Sequence, residues 1–289
     1  MIYLDNAAST AVHPEVVKEM LPYFDTQYGN PSSIHQFGRK AKNAIEKARK
    51  QVAALIGAKP GEITFTSGGT ESNNTIFYGC PKFQGEKPEL NHIITSSIEH
   101  DAVLEPVREF EKNGVQVTYL PVDEHGLVNP DDITKSINEK TTIVSIMFAN
   151  NEVGTIQPIK EISKICNKYQ IPLHTDAVQA AGKIPINVKE LGIDALSISS
   201  HKINGPKGIG ALFIKKGFAV EAIIEGGGQE NGIRSGTENV ASIVGFGKAC
   251  EIAKERLNEN ISHFQTLHSS ILSKILKEIP YVKPNGHPE

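Results

Sequence analysis

The chain has 289 residues, 39% hydrophobic and 22% charged, enough to bury a substantial core in one large domain or two unequal ones. A formal net charge of −3 with no basic run gives no support to nucleic-acid binding, and no apolar stretch reaches membrane-spanning length. The start of the chain lacks the charged and apolar regions of a signal peptide. Cys80, Cys166 and Cys250 are scattered and form no Cys-x-x-Cys pair, so a reducing, cytoplasmic setting is expected, with all three as packing residues.

Taken in chain order, Ala41, Ala44, Ile45, Ala48, Val52 and Leu55 recur at helical spacing, and Gly57 supplies the stop. Residues 63–66 read as a strand and 71–78 as a helix. Residues 92–96 are strand-like, and Val103, Leu104, Val107 and Phe110 mark a helix that stops near Gly114. Strands follow at 115–120 and 142–148, a helix at 159–169, and strands at 172–175, 195–199 and 211–214. From Thr237 the pattern is almost entirely helical up to Ile279, and Tyr281-Val282 reads as the start of a new strand. Short, nearly continuous apolar strands separated by helices predict an α/β fold with a mainly parallel sheet covered on both faces.

The chemistry concentrates where strands end. Ser199-Ser200-His201-Lys202 closes the strand 195–199 and runs into Gly205, Gly208 and Gly210. A lysine there can form a Schiff base, while hydroxyl, imidazole and backbone N–H groups beside it can hold a phosphate, so the segment reads as an anchor for pyridoxal phosphate. Ser67-Gly68-Gly69-Thr70 joins a strand to a helix, where free N–H groups and the helix dipole favour an anion, although a capped helix without ligand uses the same residues. Asp176, past the strand 172–175, is placed to pair with a protonated pyridine nitrogen, and Gln179 to reach the ring hydroxyl; an N-capping role for Asp176 is the alternative. His100 can stack on a ring and move protons. Asn151 follows the strand 142–148 in a turn, and Arg234-Ser235-Gly236-Thr237 offers a second phosphate edge.

These residues, in this order, resemble the large domain of cysteine desulfurases, in the class V aminotransferase group of fold type I pyridoxal phosphate enzymes. The likeness spans essentially the whole chain. It rests on Tyr3-Leu4-Asp5-Asn6-Ala7-Ala8, Tyr28-Gly29-Asn30-Pro31-Ser32-Ser33, Thr66-Ser67-Gly68-Gly69-Thr70-Glu71-Ser72-Asn73, Ile98-Glu99-His100, Asn150-Asn151-Glu152-Val153-Gly154, Asp176-Ala177-Val178-Gln179, His201-Lys202 and Arg234-Ser235-Gly236-Thr237.

The resemblance implies a division into an N-terminal segment (1–15) that packs with a small domain, a cofactor-binding large domain (16–255) and the start of an incomplete small domain (256–289). It implies that Lys202 carries the cofactor, with His100 stacked on the ring and assisting proton transfer. Asp176 would bind the ring nitrogen, Gln179 the ring oxygen, and Gly69, Thr70, Ser199 and His201 the phosphate. Asn151 would lie near the ring oxygen and substrate, and Thr237 would reach the phosphate of a second copy, which implies a homodimer.

The activity implied is conversion of L-cysteine to L-alanine, with sulfur passed to a cysteine persulfide for iron–sulfur cluster or other sulfur-cofactor synthesis, through a sulfur-acceptor or scaffold protein. Selenocysteine lysis or transamination on the same scaffold, and a non-catalytic cofactor-binding subunit completed by a separate partner, are the alternatives. One departure stands out. Family members continue through a further small domain that carries a nucleophilic cysteine and a carboxylate-binding arginine, and none of the three cysteines here falls at the matching place.

Overall fold

The computed structural model describes residues 2–81 and 91–288. Seven strands form one mixed sheet: β1 (Ile63–Thr66), β2 (His92–Ser96), β3 (Gln116–Leu120), β4 (Thr141–Ser145), β5 (Leu173–Asp176), β6 (Ala195–Ser199) and β7 (Gly210–Ile214). Their spatial order is β1-β7-β6-β5-β4-β2-β3. From β6 to β3 all pairings are parallel, whereas β7 runs antiparallel to both β6 and β1. The segment between β6 and β7 holds only a short 3-10 turn, Ser200–Lys202, too little for the crossover that a parallel return needs, so β7 comes back antiparallel.

Strands β2, β4, β5 and β6 are buried along their whole length, their polar residues included, as strands inside a sheet covered on both faces are. Only β3, at one edge, has an exposed residue. Nine α-helices accompany the sheet among the described residues: α1 (Pro14–Met20), α2 (Gln36–Ile56), α3 (Gly69–Tyr78), α4 (Asp101–Lys112), α5 (Pro130–Ser136), α6 (Ile159–Lys168), α7 (Val188–Leu191), α8 (Val240–Glu255) and α9 (Leu257–Glu278). Two apolar clusters result. The larger joins α2, α6 and α8 to the sheet through Val52, Ile162 and Phe246; the smaller joins α3 and α4 through Phe77, Val103 and Val107. Helix α2 ends where the sequence predicts, at Gly57, whose φ of 70° is left-handed.

Helices α1, α5 and α7 are not among the elements read from the sequence, β4 stops at Ser145 short of the 148 expected, and the end of the chain differs in two ways. The helical run from Thr237 begins at Val240 and breaks at Arg256, which separates α8 from α9. Tyr281-Val282 is not a strand: Tyr281 has φ 62° and is fully exposed, and neither residue joins a strand pair. An apolar pair forms a strand only beside a partner that takes its backbone hydrogen bonds. Helix α9 itself has no buried residue.

Segment 5–13 lies along the turn after β6. Thr10 N–H and Oγ1 both donate to the His201 carbonyl (2.9 and 2.8 Å), and His13 N–H donates to the Asn204 carbonyl (2.9 Å). No helix of the described residues is long and apolar enough to cross a membrane.

Candidate active site

Because β2, β4, β5 and β6 are parallel, their C-terminal ends open on the same edge of the sheet, which is where an α/β protein collects ligand-binding groups. The residues just past those ends surround a cavity of about 530 Å³. Gly69, Thr70, His100, Asn151, Asp176, Gln179, Ser199, His201 and Lys202 all line it. Thr237 does not. It lies in a neighbouring hollow with Ser67, Arg234 and Gly236.

At the cavity floor, Asp176 is 6% exposed. Its Oδ2 accepts from Asn73 Nδ2 at 2.6 Å and its Oδ1 from the Val178 N–H at 2.9 Å. Burial pushes the carboxyl pKa upward, and these two hydrogen bonds, with His100 and Lys202 nearby, oppose the shift. Lys202, in the 3-10 turn after β6, donates from Nζ to the carbonyls of Ala7 and Ala8. Burial lowers its pKa, while Asp176 and Asp5 pull it back up. The site thus pairs a buried acid with a partly desolvated amine.

His100 caps α4, its Nδ1 accepting from the Ala102 N–H at 3.0 Å. That bond leaves Nε2 as the protonated nitrogen of the neutral ring. His201 is held from its backbone by Thr10, and burial followed by the charge of Lys202 lowers its pKa.

The Gly69 end of the cavity is built for an anion. Helix α3 starts at Gly69 with no side-chain cap on its first-turn amides. Close packing enforces glycine here. A Cβ on Gly69 would sit 2.7 Å from Val178 Cγ2, and one on Gly210 would sit 2.7 Å from the Gly68 Cα. Gly69, Thr70, Ser199 and His201 also border a second hollow of about 340 Å³ beside the first, lined further by Lys207. An uncapped helix start, two hydroxyls and nearby cations make a phosphate cradle, and the buried Asp176 suits a protonated ring nitrogen, so pyridoxal phosphate fits the residues present.

The sequence reading misses three contributors. Asn73 stands one turn into α3 from Thr70 and is fully buried, with its Oδ1 unpartnered. Glu99 is buried behind His100; its Oε1 accepts from Ser96 Oγ at 2.6 Å and from the Met147 N–H at 2.8 Å, while Oε2 has no partner. Burial, with Asp176 nearby, raises its pKa to about 8. The backbone of Ala7 and Ala8 forms the third, far from Lys202 in sequence. Asn73 and Glu99 stand inside runs quoted above, but no role is read for either there. Asn151, expected near the substrate, spends its Nδ2 on Glu152 Oε1 at 2.9 Å while keeping a place on the cavity wall.

The family model for class-V aminotransferases matches residues 2–289. A cysteine desulfurase IscS of Dictyoglomus turgidum is 52% identical over 285 residues, which cover 99% of this chain and 72% of that relative. A solved structure named NifS-like protein superposes with a TM-score of 0.92 at 44% identity, covering 96% of this chain and 76% of the other. A structure described as SspA in complex with cysteine superposes with a TM-score of 0.84 at 42% identity, covering 87% of this chain and 72% of that one.

Proposed function

The chain belongs to the class-V aminotransferase family, and from that premise we propose that it is a pyridoxal phosphate-dependent cysteine desulfurase, which takes sulfur from L-cysteine and leaves L-alanine. The observation that carries this reading is the pairing of Lys202 with a buried Asp176 across one cavity whose Gly69 end suits a phosphate. Relatives named cysteine desulfurase and a neighbour described with cysteine support the choice of substrate.

In this role Lys202 offers the amine for covalent attachment, and Gly69, Thr70, Ser199 and His201 hold the phosphate. When bound, pyridoxal phosphate supplies an electron sink for charge that develops on the amino acid's α-carbon. Asp176 would hold a proton on the ring nitrogen, and the hydrogen bonds from Asn73 and the Val178 N–H favour the carboxylate form that this requires against the upward push of burial. Lys202 Nζ, its basicity lowered by burial, would take and return protons at the substrate carbons, and His100, on the wall of the same cavity, would stack on the ring and assist. Gln179 donates to the ring oxygen, and Asn151 borders the substrate.

The sulfur leaves as a persulfide: an acceptor thiolate bonds to the substrate sulfur, the carbon–sulfur bond breaks, and the carbon takes a proton to give alanine. Cys80, Cys166 and Cys250 are all buried, so the acceptor thiol in this reading is none of them. A sulfur-accepting or iron–sulfur scaffold protein then consumes the product in the cytoplasm. A homodimer is part of the same reading, with Thr237 directed to the second copy's phosphate and α9 opening a small domain. Product analysis with L-cysteine, selenocysteine and an amino-group acceptor tests the assignment. Alanine from cysteine is expected; transfer of the amino group without sulfur release would replace desulfuration by transamination.

A further inference from the structure

Lys183 lies four residues beyond Gln179 in the run of turns after β5, outside the motifs of the sequence, with its Nζ 2.8 Å from Gln179 Oε1. The other end of the same carboxamide, Nε2, donates to the Ala7 carbonyl at 2.9 Å, and that carbonyl also accepts from Lys202 Nζ. A carboxamide has a donor end and an acceptor end, and either can face a ligand unless a neighbour decides. An ammonium group has donors only, so Lys183 claims the oxygen and, with Ala7 taking one N–H, leaves the other N–H at the cavity that Gln179 and Ala7 line. Lys202 is the charged group that acts on Lys183, and Lys202 in turn feels Asp176 and Asp5. Burial first, and Lys202 second, push the Lys183 pKa down to about 8, which still leaves it mostly protonated at neutral pH.

Resting on the cofactor assignment above, we propose that Lys183 is a positioning residue that, together with the Ala7 carbonyl, fixes the Gln179 carboxamide so that its remaining N–H, and not its oxygen, meets the ring oxygen of pyridoxal phosphate. With Lys183 gone, only the Ala7 carbonyl still holds the amide's orientation, and a flip that presents its oxygen to an oxygen already carrying negative charge costs less. The residue acts through Gln179, and its influence therefore depends on Gln179 being present.

The test titrates cofactor-free full chain with pyridoxal phosphate and follows the visible band, for the wild type and for Lys183→Met, Lys183→Arg, Gln179→Leu and the Gln179→Leu/Lys183→Met pair. Loss of one charge-assisted hydrogen bond predicts about ten-fold weaker binding for Lys183→Met. Lys183→Arg, which keeps a cationic donor, stays within about three-fold. The pH midpoint of the band rises by about half a unit in Lys183→Met and not in Lys183→Arg, because a nearby positive charge has been removed. In the Gln179→Leu background, adding Lys183→Met changes affinity by less than about two-fold. Should Lys183→Met fail to fold, Lys183→Gln takes its place; its amide can offer either end to Gln179, and about three-fold weakening is expected. Unchanged affinity and midpoint in Lys183→Met would overturn the positioning role while leaving the cofactor assignment intact. An equal loss in both Gln179 backgrounds would overturn it as well, making Lys183 an independent charge. If the wild type takes up no cofactor at Lys202, the functional assignment falls, and this proposal falls with it.

Discussion

Asn73 Nδ2 lies 2.6 Å from Asp176 Oδ2, so helix α3 grips the end of β5 across 103 residues of sequence. The contact sets the state of the acid at the cavity floor. Burial raises the Asp176 pKa; Asn73 and the Val178 N–H hold it down. Asn73→Ala removes one of those supports, so the pKa climbs and a smaller fraction is ionised at any given pH. The acid limb of pyridoxal phosphate binding should move to higher pH, and affinity at neutral pH should fall about ten-fold or more, since a hydrogen bond to a charged group is worth about 1.5–3 kcal/mol. A titration of cofactor uptake against pH checks this.

A second buried contact fastens the segment before Thr237. Arg49 forms a two-pronged pair with Glu230, Nη1 to Oε2 at 2.7 Å and Nη2 to Oε1 at 2.8 Å, and Glu230 Oε2 also accepts from the Phe65 N–H at 2.7 Å. Both side chains are almost completely buried. Arg49→Met strands the carboxylate in the core and should cost about 3–5 kcal/mol in denaturant unfolding. Arg49→Met combined with Glu230→Gln should recover much of that loss, because no buried charge is left without a partner. A pair of independent, additive losses would contradict it.

Glu99 supplies a pH signature. Its folded pKa, about 8, stands above the ordinary value of 4.5. Between those values the unfolded chain has released the proton and the folded chain still holds it, so stability falls as pH rises across that window. Glu99→Gln cannot ionise. The variant should gain stability relative to the wild type as pH rises from about 4.5, with the gap levelling off above about 8. Urea midpoints at pH 5 and pH 8 measure it; equal gaps at both would show that Glu99 ionises normally.

The cysteines give a prediction of no effect. Burial raises the Cys166 thiol to about 12, with Asp194 adding to the shift, and burial alone lifts Cys250 well above its ordinary value. All three cysteines are buried, and a buried thiol that stays protonated is a poor nucleophile. Replacing Cys80, Cys166 and Cys250 together by alanine should leave the rate of alanine formation per folded protein within about two-fold, provided an external thiol accepts the sulfur. Loss of activity in Cys80→Ala alone, with folding intact, would place a sulfur acceptor inside the chain.

Much of the fold follows from local pattern. The seven strands are short runs built largely from apolar, small and β-branched residues, and Gly57 ends α2 because only a left-handed residue turns the chain there. Lys202, Asp176 and Gly69 announce themselves by standing at or just past strand ends. Asn73 and Glu99 do not, because their importance lies in what faces them after folding: a carboxylate from β5 for one, the Met147 N–H for the other. The grip of Ala7 and Ala8 on Lys202 is likewise a long-range backbone contact with no local trace. Helix α5, missed between β3 and β4, carries its signal in Asn129, which caps it, and Pro130, which opens it. Tyr281-Val282 errs the other way: β propensity without a neighbouring strand leaves an exposed turn.

In the proposed reaction Lys202, set against Asp176, runs pyridoxal phosphate chemistry on cysteine. The measurement that reaches it most directly is alanine released from L-cysteine by protein loaded with pyridoxal phosphate, in the presence of an acceptor thiol, for the wild type and Lys202→Ala. The account predicts alanine and sulfane sulfur in equal amounts from the wild type, and a fall of at least about a thousand-fold in Lys202→Ala, the scale expected when both the attachment point and the proton carrier are lost. Undiminished alanine formation by Lys202→Ala would contradict it.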